Sequence, residues 1–281
     1  MYFDQRVKSV QAVVLRTRTV FLIANLATLV SLAALFNTYA SWIRHLPERD
    51  SIKTYPHMHE AVVRAQVSDL MVVSVPVLGL KLFAADLGIV ASGGMLILSV
   101  WLYYSFRREQ HSIGHLIFDV AEQPDKNTDV LFVKTNRLED AKHVLHELAA
   151  VFVFVTTDKD RAVGDPDGEL FAEEGPPVVV WAKRRLLDSP FWVVLLCGAA
   201  DLSSLVLPSV ISSGSQPLWD TLTTAQQFEA AGRLMITFIM AFVIRENLKK
   251  VKYFYDWTQI LYRSLVRAVA ERSGSKEVTA T

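Results

Sequence analysis

The chain has 281 residues, 51% of them apolar and 21% charged, with 29 basic residues balancing 29 acidic ones. A zero net charge argues against a nucleic-acid binder that works by neutralising phosphates, and a single cysteine, Cys197, excludes a disulfide framework and a multi-cysteine zinc site. So much apolar material beside an ordinary share of charge points to membrane segments interleaved with polar ones.

Residues 1–19 form an N-terminal segment with four basic residues, Arg6, Lys8, Arg16 and Arg18. Val20 to Trp42 then runs without a formal charge, long enough at 1.5 Å per residue to cross a ~30 Å hydrocarbon layer. A signal peptide's apolar region is about 7–15 residues and ends at a small-residue cleavage site, so this stretch is read as an uncleaved first span (20–42).

Residues 43–86 make a loop on the far side of the membrane. Glu60 to Leu70 carries valines and alanines at helical spacing, which predicts an amphipathic surface helix. Leu70 to Leu80 is apolar but short, contains Pro76, and lies too close to the next span to cross. An interfacial or re-entrant segment, or a short strand pair, is expected there. Asp86 stands at an N-cap position for the second span (87–106). That span exits through Trp101, Tyr103, Tyr104 and Phe106 into Arg107 and Arg108, aromatics at headgroup level followed by arginines.

Residues 107–190 read as a small α/β or α+β domain of roughly 75 residues, near the lower limit for an independent core. The second span continues as a helix over 109–122, and Val130 to Val133 is a short β-prone run. A helix follows from Asn136 to Ala149, with Asn136 and Glu139 at capping-box spacing and Leu138, Ala141, Leu145 and Leu148 as its stripe. Val151 to Val155 and Val178 to Trp181 are strand-like and flank an acidic loop containing Gly and Pro.

The third span (191–211) is interrupted by Asp201, and the loop 212–227 has no Lys or Arg. The fourth span (228–244) is the weakest, since it contains Glu229 and Arg233. Residues 245–281 begin with a helix to Glu271 whose stripe is Val251, Phe254, Leu261 and Leu265, followed by a polar tail read as disordered. Lys249, Lys250 and Lys252, beside Tyr253 and Tyr255, suit anionic lipid headgroups at about 1 kcal/mol per charge.

The fold class is therefore an α-helical polytopic membrane protein with four transmembrane helices, a small cytoplasmic loop domain and a long C-terminal amphipathic helix. Basic residues set its orientation. Both termini inside puts 23 Lys and Arg inside against 5 outside, as the positive-inside rule requires. Without N-x-[ST] sequons or an organellar signal, a bacterial inner membrane is the expected location.

Charges inside a span cost at least ~2.5–3.5 kcal/mol each, so they face a partner or a cavity. Asp201 lies about 16 Å from the cytoplasmic start of its span and Arg233 about 18 Å from the cytoplasmic end of the next. The two are expected to pair as an intramembrane ion pair, or Arg233 is satisfied by Glu229 one turn away. His111, His115 and Asp119 on one helix, with His143, His146 and Glu147 on the next, could ligate a divalent metal. Their helical wheels place them on solvated faces, so no metal or other cofactor is expected. His57, His59 and Glu60 fit a solvated loop equally well. Asp158, Asp160 and Glu169 match an EF-hand frame at positions 1, 3 and 12, but Ala162 and Val163 stand where a ligand and a glycine belong.

No catalytic or nucleotide-binding signature is present, which favours a non-enzymatic scaffold or accessory subunit. Its cytoplasmic domain would bind a partner protein or a second copy of the chain. The alternatives are an oligomeric channel or small transporter using Asp201 and Arg233, and an interfacial enzyme built on the histidine pairs. Asp201 in a water-filled cavity would favour the channel. Histidine faces lining one cleft would favour the enzyme.

Overall fold

None of the three longest helix-forming stretches contains a proline, so nothing in the backbone stops a helix once it has started. In the computed structural model, α1 (Tyr2–Arg44) joins the predicted tail to the first span. Likewise α2 (Ala84–Val120) joins the second span to its continuation. At the other end, α5 (Thr224–Val278) runs through the fourth span and on for 55 residues, about 82 Å at 1.5 Å per residue. Among the described residues the remaining helices are α3 (Leu138–Val151) and α4 (Ser189–Val206). The described residues are 2–44, 72–75, 80–123, 130–134, 136–151, 161–163, 171–173, 185–206 and 223–278.

Three antiparallel strand pairs accompany the helices. β1 (Val72–Val75) pairs with β2 (Leu80–Phe83) in the register Val72 to Phe83, so the stretch 70–80 contributes to a strand pair, one of its expected forms. β3 (Ala121–Glu122) pairs with β4 (Phe132–Val133), and β5 (Arg161–Val163) with β6 (Phe171–Glu173). The last pair runs into the predicted acidic loop. The strands expected at 152–155 and 178–181 and the helix expected at 60–70 lie outside the described residues.

Several boundaries move for local reasons. Helix α2 begins at Ala84, so Asp86 falls inside its first turn and not at the N-cap. Helix α3 begins two residues later than expected, because the Arg137 carbonyl accepts its first bond, from Ala141 N at 2.9 Å. Arg137 also donates to Asp140 at 2.7 Å. At α5, Thr223 is the N-cap and Gln226 reaches back to its amide at 3.0 Å, a capping box that starts the helix before the predicted span. The helix also runs past the expected end at Glu271. Helix α2 ends where Lys134 Nζ donates to the carbonyls of Phe118 and Asp119 at 2.8 and 3.1 Å, a cation satisfying orphan acceptors at the negative end of the helix dipole.

The chain divides into two units, residues 1–23, 100–188 and 247–281 in the first, and 24–99 and 189–246 in the second. The first is built like a water-soluble domain. Val7, Val10 and Val14 of α1, Ile113, Leu116, Ile117 and Val120 of α2, Ala141, Val144, Leu145 and Leu148 of α3, and Leu261, Leu265 and Val269 of α5 form one buried aliphatic cluster. The predicted stripe of α3 points into it, as do Leu261 and Leu265 of the predicted α5 stripe, while Val251 and Phe254 of that stripe are outside the cluster; the N-terminal segment supplies a third face.

The second unit is built the other way round. Leu26, Leu29, Phe36, Ile97, Met235 and Phe242 are exposed, while Thr28, Ser92, Ser99 and Thr237 are buried. Large apolar groups outside and small polar ones inside is the pattern of helices packed in lipid. Three helices are long and apolar enough to cross a membrane, Gln5–Phe36, Gly88–Val120 and Thr224–Arg272, and the described apolar part of α4, Ser189–Leu202, is shorter. By helix length and composition this is a mostly helical, multi-pass membrane protein.

Candidate functional site

Helix α4 brings Gly198 and Asp201 to neighbouring helices of the second unit one turn apart. A Cβ at Gly198 would lie 3.3 Å from Thr237 Cγ2 and 3.6 Å from the Phe238 ring, so α4 and α5 approach closely there. One turn on, the Asp201 carboxylate rests against Gly88, near the N-terminal end of α2, and a Cβ on Gly88 would overlap Asp201 Oδ2. A methyl there would force the Asp201 carboxylate to turn aside. Ser92, one turn along α2 and fully buried, donates to the Gly88 carbonyl at 2.5 Å. It thereby satisfies its hydroxyl within its own helix and adds no polar demand to the interface.

Arg233 of α5 acts electrostatically on Asp201 and also donates to Glu229, one turn earlier, at 2.5 Å. The Arg233 side chain is 36% exposed and that of Glu229 61%, so this pair lies toward the periphery of the helix. Of the two expected partners, Glu229 on the same helix is the one at hydrogen-bond distance from Arg233. Cys197, one turn before Asp201, is buried.

The histidine candidates belong to the first unit. His111 and His115 stack on each other with ring centroids 6.2 Å apart, and both are exposed, as are His143 and His146. The carboxylates that would complete a metal site are engaged by α1, Asp119 with Arg6 and Glu147 with Gln11. Among the described residues no group of three or more His, Cys, Asp or Glu side chains is placed to hold a metal. His57, His59 and Glu60 lie outside the described residues. So do the EF-hand positions Asp158, Asp160 and Glu169, while Ala162 and Val163 are in β5. Of the three lysines assigned to lipid, Lys252 is bound to Asp188 at 2.5 Å and Lys250 lies 5.8 Å over the Tyr103 ring.

One buried acid went unread in the sequence. Glu109 of α2 is 2% exposed, with Thr17 of α1 as a side-chain hydrogen-bond partner and no hydrogen-bond partner for Oε2 among the described residues. Thr17 in turn lies 3.1 Å from the Val13 carbonyl and 3.3 Å from that of Ser105. Glu109 directly follows Arg107 and Arg108. Its spacing sets it apart from them, because Glu109, Ile113, Leu116, Ile117 and Val120 recur at i, i+4, i+7, i+8 and i+11, a single helix face.

Two measurements check these sites. Gly88→Ala should lower the melting temperature of the detergent-purified protein by several degrees, since the new methyl overlaps Asp201. A Gly88→Ala protein as stable as the wild type would contradict the close contact. Glu109→Gln keeps the shape and removes any charge from a place where an under-partnered carboxylate costs several kcal/mol. Thermal unfolding at neutral pH should therefore show Glu109→Gln equal to or more stable than wild type, and Glu109→Ala less stable because of the cavity it leaves.

Comparison with known protein families, with curated proteins and with solved structures finds no match for this chain.

Proposed function

We propose that the chain is a non-enzymatic membrane scaffold or accessory subunit of the bacterial inner membrane. In this reading it crosses four times, with α4 as the third span, and keeps both termini and residues 107–190 in the cytoplasm, where the first unit docks a protein partner. The observation that carries the proposal is how the reactive-looking groups of that unit are used. Asp119 and Glu147 hold α1 against α2 and α3 through Arg6 and Gln11, and the four histidines stand on exposed faces. These groups serve packing and surface recognition, which suits a docking domain better than an active site.

The test is to purify the tagged full-length protein from native membranes in mild detergent and identify what comes with it, with reporter fusions after residues 190, 225 and 281 to read the topology. A soluble protein that is lost when exposed α3 positions such as His143 and Glu139 are substituted supports the docking role. A partner-free homo-oligomer would overturn it and transfer the case to a channel or small transporter. Fusions active on the same side at 190 and 281 and on the opposite side at 225 support four spans, and any other pattern contradicts them.

Within that scaffold we assign Asp201 and Arg233 the role of a clamp between α4 and α5. Reversing either charge alone should sharply reduce the amount of folded protein recovered, since it places two like charges together where a single one is already costly. The double reversal, Asp201→Arg with Arg233→Asp, should restore much of it, as read by monodisperse yield in size-exclusion chromatography. Failure of the double variant to exceed the single ones would remove the clamp.

A further inference from the structure

Four contacts in the first unit bring short stretches of four chain segments to a common level. Thr17 of α1 reaches the Ser105 carbonyl of α2 at 3.3 Å. Tyr103 of α2 packs on Phe254 of α5 with centroids 5.6 Å apart and lies under Lys250. Asp188, ahead of α4, binds Lys252 of α5. At this level the exposed charged side chains are all basic: Arg16, Arg107, Arg108, Arg185, Lys249 and Lys250. Of the described acids near it, Glu109 is buried, Asp188 binds Lys252, and Glu246 and Asp256 are half-buried.

Large apolar and amphipathic side chains are exposed among these charges, with Leu15 at 52%, Tyr104 at 60% and Tyr253 at 63%. In water such groups cost free energy. At a membrane surface their rings and aliphatic parts lie at the acyl boundary and the cations meet the phosphates. Sorting charge by sign, with cations out and acids in, is not needed for packing. It is what an anionic surface selects.

We propose that this level is a collar that binds the phosphate-bearing headgroups of anionic lipids, through Arg16, Arg107, Arg108 and Lys250 of the first unit. The surface is wider than the lysine cluster on α5 that the sequence suggests, and it excludes Lys252, whose ammonium is committed to Asp188. It rests on the reading of the chain as a membrane protein with its first unit at the bilayer surface. It does not depend on which side of the cell membrane that surface is.

The full-length protein, delipidated in a neutral detergent, is titrated with phosphatidylglycerol or with phosphatidylcholine, and bound lipids are counted by native mass spectrometry. Wild type should prefer phosphatidylglycerol by at least tenfold. Each basic residue near an anionic surface contributes roughly fivefold, equivalent to about 1 kcal/mol, so Arg16→Gln, Arg107→Gln and Arg108→Gln together should weaken phosphatidylglycerol binding about a hundredfold while phosphatidylcholine binding stays unchanged. Arg107→Lys with Arg108→Lys should retain the preference, and Lys252→Gln together with Asp188→Asn, which removes the ion pair without changing net charge, should leave it untouched. Equal binding of the two lipids by wild type, an undiminished preference in the triple variant, or full displacement of phosphatidylglycerol by millimolar inorganic phosphate would overturn the collar. Because the titration has no inside or outside, a failed topology would show in the reporter fusions and a failed collar here.

Discussion

A helix carries its hydrogen bonds within itself, and that property lets α1, α2 and α5 each contribute to two units of opposite character. Backbone amides and carbonyls must be satisfied in lipid, where there is no water to do it, and in water it costs nothing to keep them satisfied the same way. With no proline in any of the three helices, there is no reason for the chain to break at a change of solvent. The side chains change instead. On α1 the buried face is Val7, Val10, Val14 in one unit and Thr28 in the other, and exposed Leu26 and Leu29 replace the exposed arginines.

This reversal decides what each unit can do. The first buries aliphatic surface and is stabilised by the hydrophobic effect, at about 25 cal/mol per Å² of apolar surface removed from water. The second gains nothing by that route, because lipid tails are as apolar as leucine. Its cohesion must come from close packing and from polar contacts, and those are found at Gly198 against Thr237 and at Gly88 beneath Asp201. Glycine and aspartate are poor choices for an isolated apolar helix. In this place the absence of a Cβ on one is what admits the carboxylate of the other.

The acids Asp201 and Glu109, one in each unit, are handled differently. Asp201 is half-buried, with its carboxylate against Gly88. Glu109 has a threonine hydroxyl as its partner and one carboxyl oxygen without a partner among the described residues. That arrangement places a carboxyl among otherwise aliphatic buried side chains.

Periodicity and charge counts, read from the sequence alone, were enough for the membrane character, the stripe of α3 and its counterpart Leu261 and Leu265 on α5, the strand pair option at 70–80 and the withdrawal of the four described histidines to exposed faces. Each of these depends on spacing within one element or on composition over a stretch, so local physics determines it. The burial of Val7, Val10 and Val14, the carboxyl of Glu109 in the core, the seat of Asp201 on Gly88 and the capture of Lys252 by Asp188 were decided only by the tertiary structure. In each case a residue's surroundings are set by a helix distant in the chain, and whether a charge meets water, lipid or a partner depends on what that second helix brings to the same level.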